Sequence, residues 1–413
     1  MGVWNPGMIL SLADIQAARQ RIAGGVVKTP CPESIPLSEI TGARVFCKLD
    51  NFQRTGSFKE RGARNALLRL SPDRQRRGVI AASAGNHALG LAYHGKLLGI
   101  PVVVVMPEFA PLIKMATCER LDARVIVRGV DFAEAREEAD RLAKAEGLTY
   151  VHGFDDPDII AGQGTAGLEV LEQVSDLDAI VCPVGGGGLL AGVSVAVKAL
   201  RPRVRVIGVE SVSTGNLTAA LKAGKPVTVP RRPTLADGLA TLTVGANAFS
   251  LLSSRRVDKV VRVTEAWISI AILRMLELEK TVVEGAAATP LAALMSGLLP
   301  ELKGRRTALI VSGGNIDPSI LSRVIEKGLV HDGRLTRFTA RISDRPGGLA
   351  ELCRVIASAG ASIQDVTHDR AFSGPDVSAV QAVCTVETRD RHHIASVYRA
   401  LKKAGFALAA DES

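Results

Sequence analysis

The chain has 413 residues, 47% hydrophobic and 23% charged, which is long enough for two or three domains and too apolar for wholesale disorder. Aromatics are only 4% while glycine reaches 40 residues, a balance that favours α/β layers with tight strand-to-helix turns over an all-β sandwich. The formal charge of +9 lies almost wholly ahead of residue 337, and its clusters (Arg74/Arg76/Arg77, Arg231/Arg232, Arg255/Arg256, Arg305/Arg306) lack interleaved aromatics, which argues for solvated pairs and against a nucleic-acid face.

The N-terminus carries no basic region followed by an apolar run, and the longest apolar stretches fall short of a membrane span. The six cysteines form no C-x-x-C pair, so neither a zinc knuckle nor a thioredoxin site is expected. Cys47, Cys182 and Cys384 sit in apolar runs and read as core. The expected setting is reduced and cytoplasmic.

Short β-branched runs at Val45–Lys48, Val79–Ala82, Val102–Met106, Val125–Val127, Ala179–Val184, Val204–Val209, Lys259–Val263 and Ala308–Val311 alternate with helical patterns such as Asp131–Glu146 and Leu189–Leu200. Several are apolar throughout, as in strands buried on both faces of a parallel sheet. This predicts a doubly wound α/β architecture. Gly328–Gly333 reads as a linker. Beyond it the pattern is strand Phe338–Ile342, helix Gly348–Ser358, strands Ser362–Thr367 and Val380–Val386, helix Ile394–Lys403 and strand Phe406–Ala409. That β-α-β-β-α-β order predicts a ferredoxin-like α+β unit.

Four motifs carry chemistry, each at the carboxyl end of a predicted strand or an adjoining turn. In Thr55-Gly-Ser-Phe58-Lys59-Glu-Arg-Gly-Ala63 a lysine stands at a helix start, where desolvation and the helix dipole lower its pKa. Ser83-Ala84-Gly85-Asn86-His87 follows a strand and opens a helix, a geometry that turns N–H groups toward an anion. Gly185-Gly186-Gly187-Gly188-Leu189 lets the backbone wrap a phosphate. Ser312-Gly-Gly-Asn315 places a hydroxyl at a strand end. Gly162-x-Gly-x-x-Gly167 matches a dinucleotide fingerprint but lacks a preceding strand, so a nicotinamide site is not expected. His94 reads as a packing residue and His392-His393 as a solvated helix start.

With these motifs the first 325 residues resemble the threonine/serine dehydratases, fold-type II (tryptophan-synthase-β-like) enzymes that use pyridoxal 5'-phosphate. The resemblance implies two subdomains of parallel and mixed sheets, the smaller at about 51–153. It implies that Lys59 holds the cofactor as a Schiff base, with Phe58 flanking the ring and Asn86 on its phenolate. Gly185, Gly186, Gly187, Gly188 and Leu189 then hold the phosphate, and Ser312 meets the pyridine nitrogen. Thr234-Leu-Ala-Asp-Gly-Leu-Ala240 and Glu284-Gly-Ala lie near the cofactor. Ser83, Ala84, Gly85, Asn86 and His87 receive the substrate carboxylate. The implied reaction converts L-threonine, with L-serine second, to a 2-oxo acid and ammonia, Lys59 being the base. A serine- or hydroxyaspartate-specific lyase, a serine racemase and a non-catalytic amino-acid sensor are the alternatives. Racemases of this family carry a serine at the position of Ala84, which here has no proton to give. Some relatives bind a divalent ion through an acidic residue and a later aspartate. Glu210 is present but the later position is Asn216, and no metal ligand is assigned.

The C-terminal residues 337–413, after a linker at 326–336, resemble an ACT domain, an amino-acid-sensing module. Asp344-Arg345-Pro346-Gly347-Gly348-Leu349 matches its effector corner, and Val366–Arg370 matches a stretch of bacterial dehydratases. The implied partners are an amino-acid effector and further copies of the chain, as a homodimer or homotetramer.

Overall fold

The structure is a computed structural model that describes residues 10–254, 256–369 and 379–410. It divides into two compact units, Met1–Asp317 and Pro318–Ser413. Arg255 of the Arg255/Arg256 pair and Arg370 of the Val366–Arg370 stretch lie outside the described residues.

In the first unit six strands lie in the order Glu33–Ser34, Arg44–Leu49, Arg306–Val311, Ala179–Pro183, Arg205–Ser211, Lys259–Val263. Neighbours run parallel except the first pair. A second sheet, wholly parallel, is ordered Arg124–Val127, Val102–Met106, Val79–Ala82, Thr149–Tyr150. Its residues fall within the stretch of chain between Leu49 and Ala179 of the larger sheet. Val79–Ala82 and Val102–Met106 are buried at every position, which is why they read as unbroken apolar runs. Helix starts are capped from the sequence. Asp131, for example, accepts from the N–H groups of Ala133 and Glu134 at 2.8 and 3.1 Å.

Gly162, Gly164 and Gly167 fall inside the helix Pro157–Gln173. A Cβ on Gly192 would collide with the carbonyl of Ile160, and one on Gly164 would stand 2.8 Å from the carbonyl of Gly192. The helices Pro157–Gln173 and Gly188–Leu200 therefore touch backbone to backbone, and these glycines serve packing.

In the second unit the strand order is Ser362–Asp369, Ala379–Glu387, Leu335–Ser343, Ala407–Ala410, all antiparallel. Helices Gly348–Ser358 and Arg391–Lys403 join it around a core of Phe338, Ile342, Leu352, Ile356, Val397 and Leu401. After the helix Pro318–Asp332 the chain order is β-α-β-β-α-β.

Two local expectations need correction. Residues 328–332 are not a linker but the end of the helix Pro318–Asp332. Gly328 is buried one turn after the buried Val324, so it continues the helix on its buried face rather than loosening the chain. The break comes at Gly333, with φ +78°, and the next strand opens two residues later. His393 is not solvated. Its Nδ1 accepts from the N–H of Arg389 at 3.1 Å, and its Nε2 bonds the carbonyl of Ala359 at 2.8 Å. Only His392 is exposed.

Cys31, Cys47, Cys118, Cys182 and Cys384 are buried, and all six cysteines are free thiols. Among the described residues no helix is long and apolar enough to cross a membrane.

Candidate active site

The loop ahead of Lys59 is stitched to the loop that ends the strand Arg306–Val311. Phe58 N–H donates to the carbonyl of Ser312 at 2.9 Å, Gly314 N–H to that of Gly56 at 2.9 Å, and Ser57 bridges Gly313. Two motifs about 250 residues apart in sequence thus become one structure. Lys59 opens the helix Lys59–Arg69. Its Nζ donates to the carbonyl of Gly153 at 2.6 Å and lies 5.2 Å from the Phe58 ring centroid. Burial lowers its pKa to about 8, against the raising effect of the Glu284 charge. A useful fraction of neutral amine is therefore present near pH 7.

The same helix is anchored on its far side by Arg61, 0% exposed. Its guanidinium pairs with Asp50 at 2.7 Å and with Glu169 at 2.7 Å, and Lys48 reaches Glu169 at 2.5 Å. Two buried cations thus meet two buried carboxylates. Nothing in the alternation of hydrophobic residues marked these positions as internal.

Ser83 follows the strand Val79–Ala82, and its hydroxyl accepts from the Gly85 N–H at 3.3 Å. Asn86 opens the helix Asn86–Leu98. His87 is buried, and its Nε2 bonds the carbonyl of Val151 at 3.1 Å, so that nitrogen carries the proton. Burial, then the Lys59 charge, lowers its pKa to about 3, leaving a neutral packing imidazole. His94 is likewise internal, with Nε2 3.4 Å from Glu60.

Asn86 Nδ2 donates to both oxygens of Glu284, at 2.9 and 3.0 Å. Glu284 is 4% exposed. Desolvation, reinforced by the Asp237 charge, raises its carboxyl pKa to about 7. Its own N–H donates to the carbonyl of Gly313 at 3.1 Å. Ser312, 1% exposed, sits on this same loop.

The four glycines after the strand Ala179–Pro183 begin the helix Gly188–Leu200, and Gly187 has φ +91°. A Cβ on Gly186 would strike the Phe154 ring, and one on Gly188 the Phe154 carbonyl. One on Gly185 would lie 3.0 Å from the Leu239 Cα. The stretch Thr234–Ala240 is tied down by Glu265, which accepts from Thr234 Oγ1 at 2.8 Å and the Leu235 N–H at 2.6 Å.

The glycine loop offers a direct check on whether a phosphate fits. Among the described residues, the N–H groups of Gly185, Gly186, Gly187, Gly188 and Leu189 donate to no protein acceptor. Five free donors at a helix N-terminus match a dianion. Lys59 supplies an amine, Asn86 an N–H donor and Ser312 a hydroxyl. This donor set suits pyridoxal phosphate. Among the described residues no three His, Cys, Asp or Glu converge. Glu210 instead caps the helix Asn216–Ala223, accepting from the N–H groups of Leu217 and Thr218 at 2.7 and 3.1 Å.

Sequence reasoning quoted Asn315 within its motif but gave it no role, and passed over Gly153 and Phe154. An asparagine fixed in a strand-end loop was the available signal for the first. The other two follow the two-residue strand Thr149–Tyr150, which leaves no pattern.

The family model described as pyridoxal-phosphate dependent enzyme matches residues 22–313. The L-threonine ammonia-lyases of Thermotoga maritima and Geobacter sulfurreducens are each 42% identical to this chain. They cover 96% and 95% of it and 98% and 97% of their own lengths. Among solved structures, the processed form of threonine deaminase isoform 2 from Solanum lycopersicum is 36% identical with TM-score 0.72, covering 76% of this chain and 92% of that one. Serine racemase from Dictyostelium discoideum is 36% identical with TM-score 0.71, covering 75% and 99%.

Proposed function

Since this chain belongs to the pyridoxal-phosphate-dependent enzyme family, we propose that it is a threonine ammonia-lyase, converting L-threonine to 2-oxobutanoate and ammonia with L-serine as second substrate. The observation that carries this reading is the half-buried Lys59, its Nζ held on the Gly153 carbonyl and its pKa lowered, set among free donors suited to the cofactor. Similarity to two threonine ammonia-lyases over nearly the whole length supports the substrate.

Bound pyridoxal phosphate supplies an electron sink for the bond-breaking at the substrate Cα. Lys59 would be its attachment point, and Lys59 Nζ would take up and hold the substrate α-proton. Phe58 flanks the ring. Gly185, Gly186, Gly187, Gly188 and Leu189 hold the phosphate by their N–H groups. Asn86 would offer an N–H to the ring oxygen, with Glu284 accepting from the same amide. Ser312 would meet the ring nitrogen with a neutral hydroxyl, which holds a proton there less firmly than a carboxylate would and so suits loss of the β-hydroxyl. Ser83, Ala84, Gly85, Asn86 and His87 form the turn that receives the substrate carboxylate. Water leaves from Cα and Cβ and is taken up again when ammonia is released, so the net products are the 2-oxo acid and ammonia. Ala84 has no acidic proton, which argues against a racemase despite the likeness to serine racemases.

The antiparallel C-terminal unit is proposed to be an ACT domain binding an amino-acid effector at Asp344, Arg345, Pro346, Gly347, Gly348 and Leu349. At this corner the N–H groups of Gly347 and Leu349 have no acceptor among the described residues, which suits a carboxylate. Pairing of such units between copies would make a homodimer or homotetramer.

The test is release of 2-oxo acid from L-threonine, L-serine and 3-hydroxyaspartate by the purified chain with pyridoxal phosphate. Fastest turnover on threonine is expected. Faster turnover on another substrate overturns the specificity, and no product from any of them overturns the lyase.

A further inference from the structure

Asn315 lies in the loop that pairs with Gly56–Phe58. Gly56, at φ +76°, has no room for a Cβ because Asn315 Oδ1 lies against it. Asn315 Nδ2 donates to the carbonyl of Thr55 at 2.6 Å and to Asn86 Oδ1 at 2.9 Å. A backbone carbonyl can only accept, so the Thr55 contact identifies the nitrogen end of the Asn315 amide. Both of its protons are then spent, and the Asn86 atom facing it must be oxygen. Nδ2 of Asn86 therefore turns the other way, toward Glu284. The two oxygens of one carboxylate lie too close together to take one proton each from a single amide nitrogen. Asn86 is left with one N–H that has no acceptor among the described residues.

We propose that Asn315 is a positioning residue that sets the direction of the Asn86 amide, so that its donor end, not its acceptor end, is offered to the phenolic oxygen of pyridoxal phosphate. This rests on the functional reading above. With the amide reversed, Asn86 Nδ2 would face Asn315 Nδ2, two donors with no acceptor between them, and Asn86 Oδ1 would face the phenolic oxygen. The half-buried site would then hold unpaired polar groups, a costly arrangement. Asn315 acts only through Asn86, which is why it differs from the residues that meet the cofactor.

The experiment compares the full chain with Asn315→Asp, Asn86→Ala and the double variant. Asn315→Asp keeps the size but cannot donate. Three quantities are read: the dissociation constant for pyridoxal phosphate added to the stripped protein, the pH midpoint of the bound chromophore, and the thermal midpoint. Asn315→Asp should weaken cofactor binding about tenfold, the effect of one hydrogen bond in a buried site, and should move the pH midpoint. Asn86→Ala should do the same, and the double variant should be no worse than Asn86→Ala alone. Should the new carboxylate unfold the chain, Asn315→Ala carries the same expectation. Unchanged binding and chromophore in the Asn315 variants, or effects that add in full, would overturn the role of Asn315. A wild-type chain that takes up no pyridoxal phosphate would instead overturn the functional reading.

Discussion

The amine of the half-buried Lys59 donates to the carbonyl oxygen of Gly153 at 2.6 Å. Desolvation holds its pKa at about 8, and only the neutral amine can attack the cofactor aldehyde. The rate of pyridoxal-phosphate capture by stripped protein should therefore rise with pH and level off above about 8. Stopped-flow absorbance measures it. A rate still climbing toward the ordinary lysine value of 10.5 would mean that the amine is solvated.

Glu284 gives a stability signature of opposite sense. Burial raises its pKa from 4.5 to about 7, so the fold favours the neutral acid. That contribution is fully present below pH 4.5 and is lost as pH rises through about 7. The difference between the two values corresponds to about 3 kcal/mol. Stripped Glu284→Gln protein, neutral at every pH, should gain on wild type by that order between about pH 5 and 8 in urea unfolding. A constant difference across the range would show that the carboxyl titrates normally.

Much of this site was legible beforehand, and for a physical reason. Strands buried on both faces leave unbroken apolar runs, and close approach of neighbouring chain leaves glycines, so Val79–Ala82 and the turn Gly185–Gly188 declare themselves locally. Pairings across long sequence separations do not. The Asn86–Glu284 hydrogen bonds and the burial of Lys48 and Arg61 depend on where distant segments meet. A charged residue in a helix looks solvated until its partner is found. Gly328 misled because a glycine on a buried helix face need not break the helix. His393 misled because the turn that buries it, at Ala359, lies 34 residues earlier.

The glycine loop should tolerate no side chain at its second position. A methyl on Gly186 meets the Phe154 ring, so Gly186→Ala should weaken pyridoxal-phosphate binding at least about tenfold. A second change, Phe154→Ala, should restore part of the loss. The dissociation constant from fluorescence quenching decides it. Wild-type affinity in Gly186→Ala would show that the loop has room to spare.

Arg61 should matter for stability more than for chemistry. Arg61→Met leaves Asp50 and Glu169 with Lys48 as their remaining close cation, and stranding buried charge costs about 3–5 kcal/mol. Urea unfolding of the variant should show a loss of this size with an unchanged slope. A loss below about 1 kcal/mol would mean that water enters the network.

Lys59 is the proposed base of a threonine ammonia-lyase. The most direct test is the yield of 2-oxobutanoate and ammonia from L-threonine by wild-type and Lys59→Ala protein, each supplied with pyridoxal phosphate. Wild type should give equal amounts of both products, and the variant at least about a thousandfold less. Comparable yields from Lys59→Ala, or no product from the wild type, would contradict that role.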